Sequence, residues 1–225
     1  MIPSARYEHE MADLRRSLLR MGGTVEEMLG IVIAALQGYD PDMARRVRDM
    51  DAEVDALEKE IDEHCLRILA LHQPAAEDLR FVTTSMKLVT DLERMGDLVG
   101  NIGERIISLA GGERPRAAVD LPHMAGLVRE MVRQALDAFV EGDVALARKV
   151  LAADETVDDL HWQIHHALVA RMTEATETAA RGIQLLLLTK HLERVGDHAT
   201  NIAEEVIFLV RGHDVRHAGS PMEDA

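Results

Sequence analysis

Apolar residues recur every three or four positions along most of this chain, which is the spacing that places them on one face of an α-helix. One such stripe runs from Val47 to Ile68, and a second runs from Leu88 to Leu109. Acidic and basic residues fill the positions between them. The pattern predicts long amphipathic helices that each bury one face.

Breaks in this pattern divide the chain into six predicted helices. The segment Gly38-Tyr39-Asp40-Pro41 ends the first helix and starts the second, and Pro74 is predicted to open the third, which closes at Gly111-Gly112. Gly142-Asp143 starts the fifth helix, and Trp162 within it is expected to pack at a helix seam. The other predicted helices cover about 4–37, 40–71, 121–141 and 176–210.

The second half of the chain repeats the first at an offset of about 100 to 103 residues. Residues 40–47 align with 143–150, and Leu92-Glu-Arg-Met-Gly-Asp97 aligns with Leu192-Glu-Arg-Val-Gly-Asp197. Short connections make consecutive helices antiparallel neighbours. The sequence therefore predicts an all-α fold of two tandem, pseudo-symmetric three-helix bundles. The predicted units are residues 1–114 and 115–212, joined by a linker over 111–122 and followed by a flexible tail at 213–225.

Composition and charge narrow the class of protein. Only 3% of residues are aromatic, which favours helices over sheet, and the net charge of −15 disfavours direct binding of nucleic acid. The single cysteine, Cys65, suits a reducing compartment. No secretion signal is seen, and the longest apolar stretch, 29–36, is too short to cross a bilayer. We expect a cytoplasmic protein.

Four acidic pairs with a spacing of four residues are the candidate chemistry, because that spacing stacks two carboxylates on one face of a helix. Each pair borders an apolar stripe, so it is expected to lie at a helix–helix seam. Like charges at this spacing cost an isolated helix about 0.2–0.5 kcal/mol. The pairs are Asp51/Asp55, Glu93/Asp97, Asp154/Asp158 and Glu193/Asp197.

Antiparallel packing of the second and third helices of each half would bring two of these pairs together. Oxygen donors suit Mg²⁺, Mn²⁺ or iron better than a tetrahedral Zn²⁺ site, so we predict metal binding, possibly multinuclear, with Zn²⁺ as a further candidate. Asn101 and Asn201 lie one turn further on and are candidate ligands or orienting residues. The other interpretation is that the acids are a solvated surface neutralised by Arg94 and Arg194.

Glycines and histidines beside these pairs add two further expectations. Gly96 and Gly196 stand immediately before Asp97 and Asp197, which predicts close approach by a neighbouring group. His161 and His165 extend the Asp154/Asp158 stripe and would add nitrogen ligands; partly exposed surface histidines are the interpretation we favour. His198 has no match in the first half, where Leu98 stands, and is left outside the site.

The sequence contains no glycine-rich phosphate loop, nucleophile elbow or Cys/His pair, so we predict that the protein is not an enzyme. Di-iron oxidases carry Glu-x-x-His in a four-helix bundle, whereas this chain has Glu-x-x-x-Asp in three-helix units. A carboxylate-bridged metalloenzyme, either a ferritin-like oxidase or a hydrolase, is the alternative. A purely structural helical scaffold is a third hypothesis.

The residues quoted above resemble the PhoU family over nearly the whole chain. The resemblance is sharpest at Asp78-Leu-Arg80, at 92–97 and at 192–204. It implies two three-helix bundles, with iron or other divalent metals at the four acidic pairs. It further implies a negative regulator of the phosphate-starvation response that couples the ATPase subunit of a phosphate ABC transporter to a sensor histidine kinase. Family members are commonly dimers, and membrane association would come only through these partners.

Overall fold

Six long α-helices make up the described part of the chain, residues 5–111 and 120–212 of a computed structural model. A single 3₁₀ turn, Thr176–Thr178, precedes the last helix, and the described residues contain no β-strand. The predicted all-α fold of two tandem three-helix bundles is confirmed. The helices are α1 Ala5–Gly38, α2 Pro41–His72, α3 Ala76–Leu109, α4 Leu121–Glu141, α5 Val144–Glu174 and α6 Ala179–Arg211.

The second helix of each half starts at the same kind of aspartate cap. Asp40 accepts hydrogen bonds from the backbone N–H groups two and three residues later, at 2.9 and 3.1 Å. Asp143 accepts the equivalent bonds at 2.8 and 3.0 Å. Each cap satisfies backbone donors that the first helical turn leaves free, which stabilises the helix by about 1 kcal/mol. The start signals that the sequence contains are thus used in both copies.

Two predicted helix starts differ from the structure. The third helix begins at Ala76 rather than Pro74, because Gln73 takes a left-handed conformation (φ 48°) and ends α2. Pro74 therefore follows a helix end, a position where proline is common, instead of opening the next helix. The predicted sixth helix begins with the 3₁₀ turn at Thr176–Thr178, and α6 itself starts at Ala179.

Most of the predicted linker and all of the predicted tail lie outside the described residues, which omit 112–119 and 213–225. Among the helices that are described, none is long and apolar enough to pass through a bilayer. Trp162 does not pack at a helix seam as expected; it is 64% exposed and lies against the ring of His166, with 4.1 Å between ring centroids and 50° between the ring planes.

Each half packs as three helices, and the halves join through matching helices. In the first half α2 and α3 pack closely on each other, and in the second half α5 and α6 do the same. The halves meet through α3 against α6 and α1 against α4. One apolar core runs through both halves, so the acidic pairs sit beside fully buried residues such as Val54 and Val157.

Candidate metal centres

The first acidic cluster lies where α2 packs on α3. Asp51 is half-buried, and the Glu93 side chain is 17% exposed, whereas Asp97 is 47% exposed and Asp55 faces solvent. A Cβ atom placed on Gly96 would lie 3.1 Å from Oδ1 of Asp51. The glycine therefore lets the Asp51 carboxylate lie against the backbone of α3.

Charges on the two helices act on each other in this cluster. Burial raises the pKa of Asp51 above its ordinary value, and the charges of Asp97 and Asp55 raise it further. Burial also raises the pKa of Glu93, with Asp97 adding to the shift and the Arg94 guanidinium opposing it. The structure therefore brings the acidic pairs of α2 and α3 to one patch, as the sequence predicted for their placement.

Arg94 pairs with both acids of α3. Its Nε lies 3.3 Å from Oε2 of Glu93, and one terminal nitrogen lies 3.6 Å from Oδ2 of Asp97. The arginine is 56% exposed, and ion pairs of that exposure contribute about 0–1 kcal/mol. The neutralising interpretation is thus partly correct for this half, but the pairing leaves Asp51 without a basic partner in the pairs formed by the described residues.

The second cluster lies where α5 packs on α6, and its buried oxygens are less satisfied. Burial, and then the charges of Asp158, Asp197 and Glu193, raise the pKa of Asp154 to about 6. Oδ1 of Asp154 and Oε2 of Glu193 are both buried without a hydrogen-bond partner. The other oxygen of Glu193 lies 2.6 Å from Nζ of Lys190. Two inward oxygen atoms are therefore left without a donor.

One acid of the second cluster, Asp197, is more exposed than its first-half counterpart Asp97. Asp158 and Asp197 keep much of their surface in solvent. Partial burial at the carboxyl end of Asp197, followed by the charge of Glu193, nevertheless raises its pKa. Gly196 leaves more room than Gly96 does, since a Cβ there would lie 3.7 Å from Oδ1 of Asp154. The predicted close approach is tight in the first half and an ordinary contact in the second.

Asn101 and Asn201, which align in the repeat, have different surroundings in the structure. Asn101 lines a cavity of about 710 Å³ together with Asp51 and Asp97. Asn201 is exposed, and its side-chain Nδ2 donates to Oδ1 of Asp91 at 3.1 Å. Asn201 thus contacts the other half of the protein, whereas Asn101 lines a cavity within its own half.

Sequence reasoning missed the polar contacts that join α3 to α6. Nδ1 of His198 lies 2.8 Å from Oδ1 of Asp91, the same atom that Asn201 contacts. Lys87 donates to both oxygens of the buried Glu205 at 2.9 and 3.1 Å. The sequence signal for these contacts is that the two halves differ at these positions. His198 aligns with Leu98 in the first half, and Asp91 aligns with His191 in the second.

The histidines of α5 divide into one inner and several outer residues. His161 is half-buried, and its Nδ1 is buried without a hydrogen-bond partner. Burial lowers the pKa of this imidazole, and the charge of Glu193 opposes that shift. His165 is exposed, as the surface interpretation predicts, and its neighbour His166 is exposed as well. His161 is partly exposed, and it lies close enough to Glu193 for that charge to act on its imidazole.

The fit of a metal ion depends on side-chain movement. As the side chains stand, no three carboxylate, imidazole or thiol groups in residues 5–111 and 120–212 are arranged so that they could hold a metal ion. Asp154 and Glu193 each have a buried oxygen without a hydrogen-bond donor, and a cation would supply the missing positive partner. The pKa of Asp51 is raised in part by neighbouring carboxylates, and a cation would reduce that repulsion. The donor set therefore suits a hard cation once the carboxylates draw together.

Comparison with known families places both halves in one family. The family profile described as "PhoU domain" matches residues 18–106 and 121–206. The chain belongs to the PhoU family. The two matches fall on the two three-helix units, so the internal repeat is a duplicated PhoU domain.

Individual PhoU proteins are similar over nearly the full length. The "Phosphate-specific transport system accessory protein PhoU homolog" of Pseudomonas aeruginosa is 43% identical over 217 residues, which cover 96% of this chain and 90% of that protein. The "Phosphate-specific transport system accessory protein PhoU" of Escherichia coli is 33% identical over 216 residues, with coverage of 96% and 90%. Both names describe accessory proteins rather than enzymes.

Solved PhoU structures share the fold closely. The crystal structure of PhoU from Pseudomonas aeruginosa superposes with a TM-score of 0.89 at 42% identity and covers 92% of this chain and all of that one. A second, the phosphate transport system regulatory protein PhoU from Streptococcus pneumoniae, gives a TM-score of 0.86 at 30% identity, with coverage of 93% and 99%. The two-bundle arrangement of this chain is thus the arrangement of PhoU.

Proposed function

We propose that this PhoU family member is a cytoplasmic, metal-binding regulator of phosphate uptake with no catalytic turnover of its own. The observation that carries the proposal is the convergence of carboxylates from two facing helices, once in each copy of the duplicated domain. The names of its relatives, which describe accessory proteins of phosphate-specific transport, supply the process.

The proposed cation in the first half is held between α2 and α3, and in the second half between α5 and α6. Asn101 adds an amide oxygen in the first half, and Asn201 stays outside the proposed set because its amide contacts Asp91. When bound, a divalent or trivalent cation such as iron, Mn²⁺, Mg²⁺ or Zn²⁺ supplies the positive charge that the clusters lack. The proposed carboxylate ligands are Asp51, Asp55, Glu93, Asp97, Asp154, Asp158, Glu193 and Asp197.

The side chains of the protein set the response to the cation. Carboxylates that repel each other across a helix seam hold the two helices less firmly than carboxylates that share a ligand. Glu93 now pairs with Arg94 and Glu193 with Lys190, and each acid would leave that pair to bind the proposed cation. Metal loading is therefore proposed to tighten α2 on α3 and α5 on α6, which fixes the outer surface that a partner protein contacts.

The proposed partners are the ATPase subunit of the phosphate ABC transporter and a membrane sensor histidine kinase, with the protein restraining uptake and kinase signalling when phosphate is plentiful. The acidic charge of −15 favours docking on basic partner surfaces. A homodimer is proposed as the working state. Contact with the membrane would come through the two partners alone.

Capture of these partners tests the proposal. The wild type should retain the transporter ATPase and the kinase in the presence of divalent metal and release them after chelation. A variant with Asp51→Asn and Asp154→Asn should lose the metal-dependent part of the capture, whereas Asp159→Asn, an exposed control on α5, should not. Equal capture by wild type and double variant, with or without chelator, would support a structural scaffold instead.

A further inference from the structure

A second line of side chains runs along α5 on the side that faces solvent. Its members recur at intervals of four, three, four and three residues, which is the spacing of a helix–helix packing seam. At about 100° per residue, this line lies opposite to the buried Val157 and Ile164. All five of its side chains are exposed. We call this set the outer stripe, and it consists of Glu155, Asp159, Trp162, His166 and Val169.

The outer stripe has an acidic end and an apolar end. Glu155 and Asp159 stand one turn apart at its N-terminal end. Trp162 is 64% exposed, and Val169, two turns further on, is 39% exposed. The ring of His166 lies against Trp162 between them, with 4.1 Å between the ring centroids. Large apolar side chains at packing spacing on an exposed helix face are typical of a surface that binds another helix.

The first half of the protein lacks this pattern. The equivalent positions of α2 are also exposed, but alanines stand in place of the two acids, and lysine and glutamate stand in place of tryptophan and histidine. Lysine and glutamate one turn apart are typical of a helix face in water. Only the last apolar position is shared. The aligned residues are Ala52, Ala56, Lys59, Glu63 and Leu66. The outer stripe is therefore a feature of the second half and not of the duplicated domain.

The charges of the outer stripe select the kind of partner that fits it. A twofold contact between two copies would set acids against acids if the α5 helices were parallel. If they were antiparallel, it would bury the acids of each copy against the apolar end of the other, which costs free energy. An anionic lipid surface is repelled by the net charge of −15. A partner helix with one basic and one apolar end matches both ends of the stripe.

We propose that the outer stripe docks an amphipathic helix of a partner protein, with apolar residues against Trp162 and Val169 and with Lys or Arg against Glu155 and Asp159. The inference rests on the proposed role of the protein as a partner-binding regulator, and it does not depend on a bound cation. The stripe is about 21 Å long, so the matching helix has about four turns. Trp162 is its central anchor, because buried tryptophans dominate the binding energy of many interfaces.

Trp162 is the single tryptophan of the chain, so it reports on docking directly. Protein labelled with 5-fluorotryptophan gives one ¹⁹F resonance, which is followed while a synthetic helical peptide is added. The peptide carries leucines along one face and lysines at one end of that face, in register with the outer stripe. The resonance should shift saturably. The same peptide with glutamates in place of the lysines should bind at least about tenfold more weakly, because like charges then face each other.

Variants that copy the first half separate the outer stripe from the rest of the surface. Trp162→Lys should weaken binding of the fluorescein-labelled lysine peptide by at least about tenfold. Glu155→Ala with Asp159→Ala should remove most of the salt dependence of binding, whereas Asp159→Asn alone should have a small effect. Leu66→Ala, at the matched exposed position of α2, should have none. Val169→Lys is a second test of the apolar end, and an unchanged thermal midpoint shows that each variant is folded.

Capture of the proposed partners decides whether a natural partner uses the outer stripe. With divalent metal present throughout, Trp162→Lys should lose at least one of the transporter ATPase and the sensor kinase. Equal capture of both by wild type and Trp162→Lys would overturn the docking surface while the proposed function stands. Absence of saturable peptide binding would overturn it as well, as would a ¹⁹F shift caused by anionic vesicles or by protein concentration alone. If the wild type captures neither partner, the proposed function fails, and the inference fails with it.

Discussion

Asp154 shows most clearly how burial and neighbouring charge act on one side chain. Its pKa is raised to about 6, first by burial and then by the charges of three acids. The folded state therefore binds this proton more tightly than the unfolded state. Stability from this group increases as the pH falls through 6 towards the unfolded value near 4, and it is lost as the pH rises again.

The first prediction follows from the raised pKa of Asp154, which makes its ionised form destabilising at neutral pH. Asp154→Asn removes the buried charge and should raise the free energy of unfolding of the metal-free protein at pH 7.5 by about 1 kcal/mol, a figure reduced for solvent screening. The gain should shrink strongly at pH 4, where the wild-type carboxyl is largely protonated. Urea unfolding at the two pH values measures this difference. Asp159→Asn, at an exposed position of the same helix, should show neither effect.

A gain at pH 7.5 that persisted unchanged at pH 4 would show that the substitution acts through packing rather than charge.

The sequence predicts some of the individual site residues and not others. The acids of the clusters could be chosen because each stacks with a second acid beside an apolar stripe. Asn201 could not be assigned in this way, since its partner Asp91 lies in the other half and only tertiary packing brings them together.

At the scale of single helices, the glycines of α3 and α6 differ in the room they leave. A Cβ on Gly96 would lie 3.1 Å from Asp51 and 3.3 Å from Cγ1 of Val54, whereas a Cβ on Gly196 would make contacts of 3.7 Å or more. Alanine favours a helix interior over glycine by up to about 1 kcal/mol when the added methyl group fits. The two positions therefore allow a matched comparison.

The second prediction is that Gly196→Ala raises the thermal midpoint of unfolding while Gly96→Ala does not. In α6 the methyl group makes ordinary contacts and adds helix propensity. In α3 it must displace the Asp51 carboxylate and the packed Val54 side chain, so the propensity gain is offset. Thermal denaturation followed by circular dichroism compares the two variants directly. Equal stabilisation of both helices would contradict the asymmetric packing described for the two seams.

Helix ends illustrate what local sequence contains and what it lacks. Asp40 and Asp143 are good caps at recognisable breaks, and both are used because a cap depends on contacts within a few residues. The sequence predicts Pro74 in the first turn of α3, whereas it follows the end of α2; proline is common at both positions, so its presence alone does not decide between them. The left-handed conformation of Gln73, which decides between the two, is not favoured by that residue's own chemistry.

At the scale of the whole molecule, the repeat predicted two bundles but not how they join. The α3–α6 contact uses residues that break the repeat, such as Asp91 with His198 and Lys87 with Glu205. Duplication makes the halves alike, whereas the surface between them needs complementary groups. The repeat therefore does not predict the α3–α6 contact, whereas the apolar periodicity and the short connections predict each three-helix bundle.

The third prediction concerns this seam. Asp91→Ala removes the carboxylate that contacts His198 and Asn201, and it should cost about 1–3 kcal/mol because the largely buried His198 ring loses its acceptor. His198→Leu copies the first-half residue, and combining the two substitutions should show a coupling energy of about 0.5–3 kcal/mol. Urea unfolding of the four proteins in this cycle measures the coupling. Strict additivity would mean that the contact does not hold the halves together.

Metal-dependent stability tests the central claim most directly. Protein stripped by chelation is melted alone and with iron, Mn²⁺, Mg²⁺ or Zn²⁺, and the bound metal is counted by elemental analysis. At a hundredfold excess over the dissociation constant, the wild type should gain about 5–10 °C with at least one cation, and Asp51→Asn combined with Asp154→Asn should lose that gain. A wild type that retains no metal and melts at one temperature under all five conditions would contradict cation binding between the paired helices.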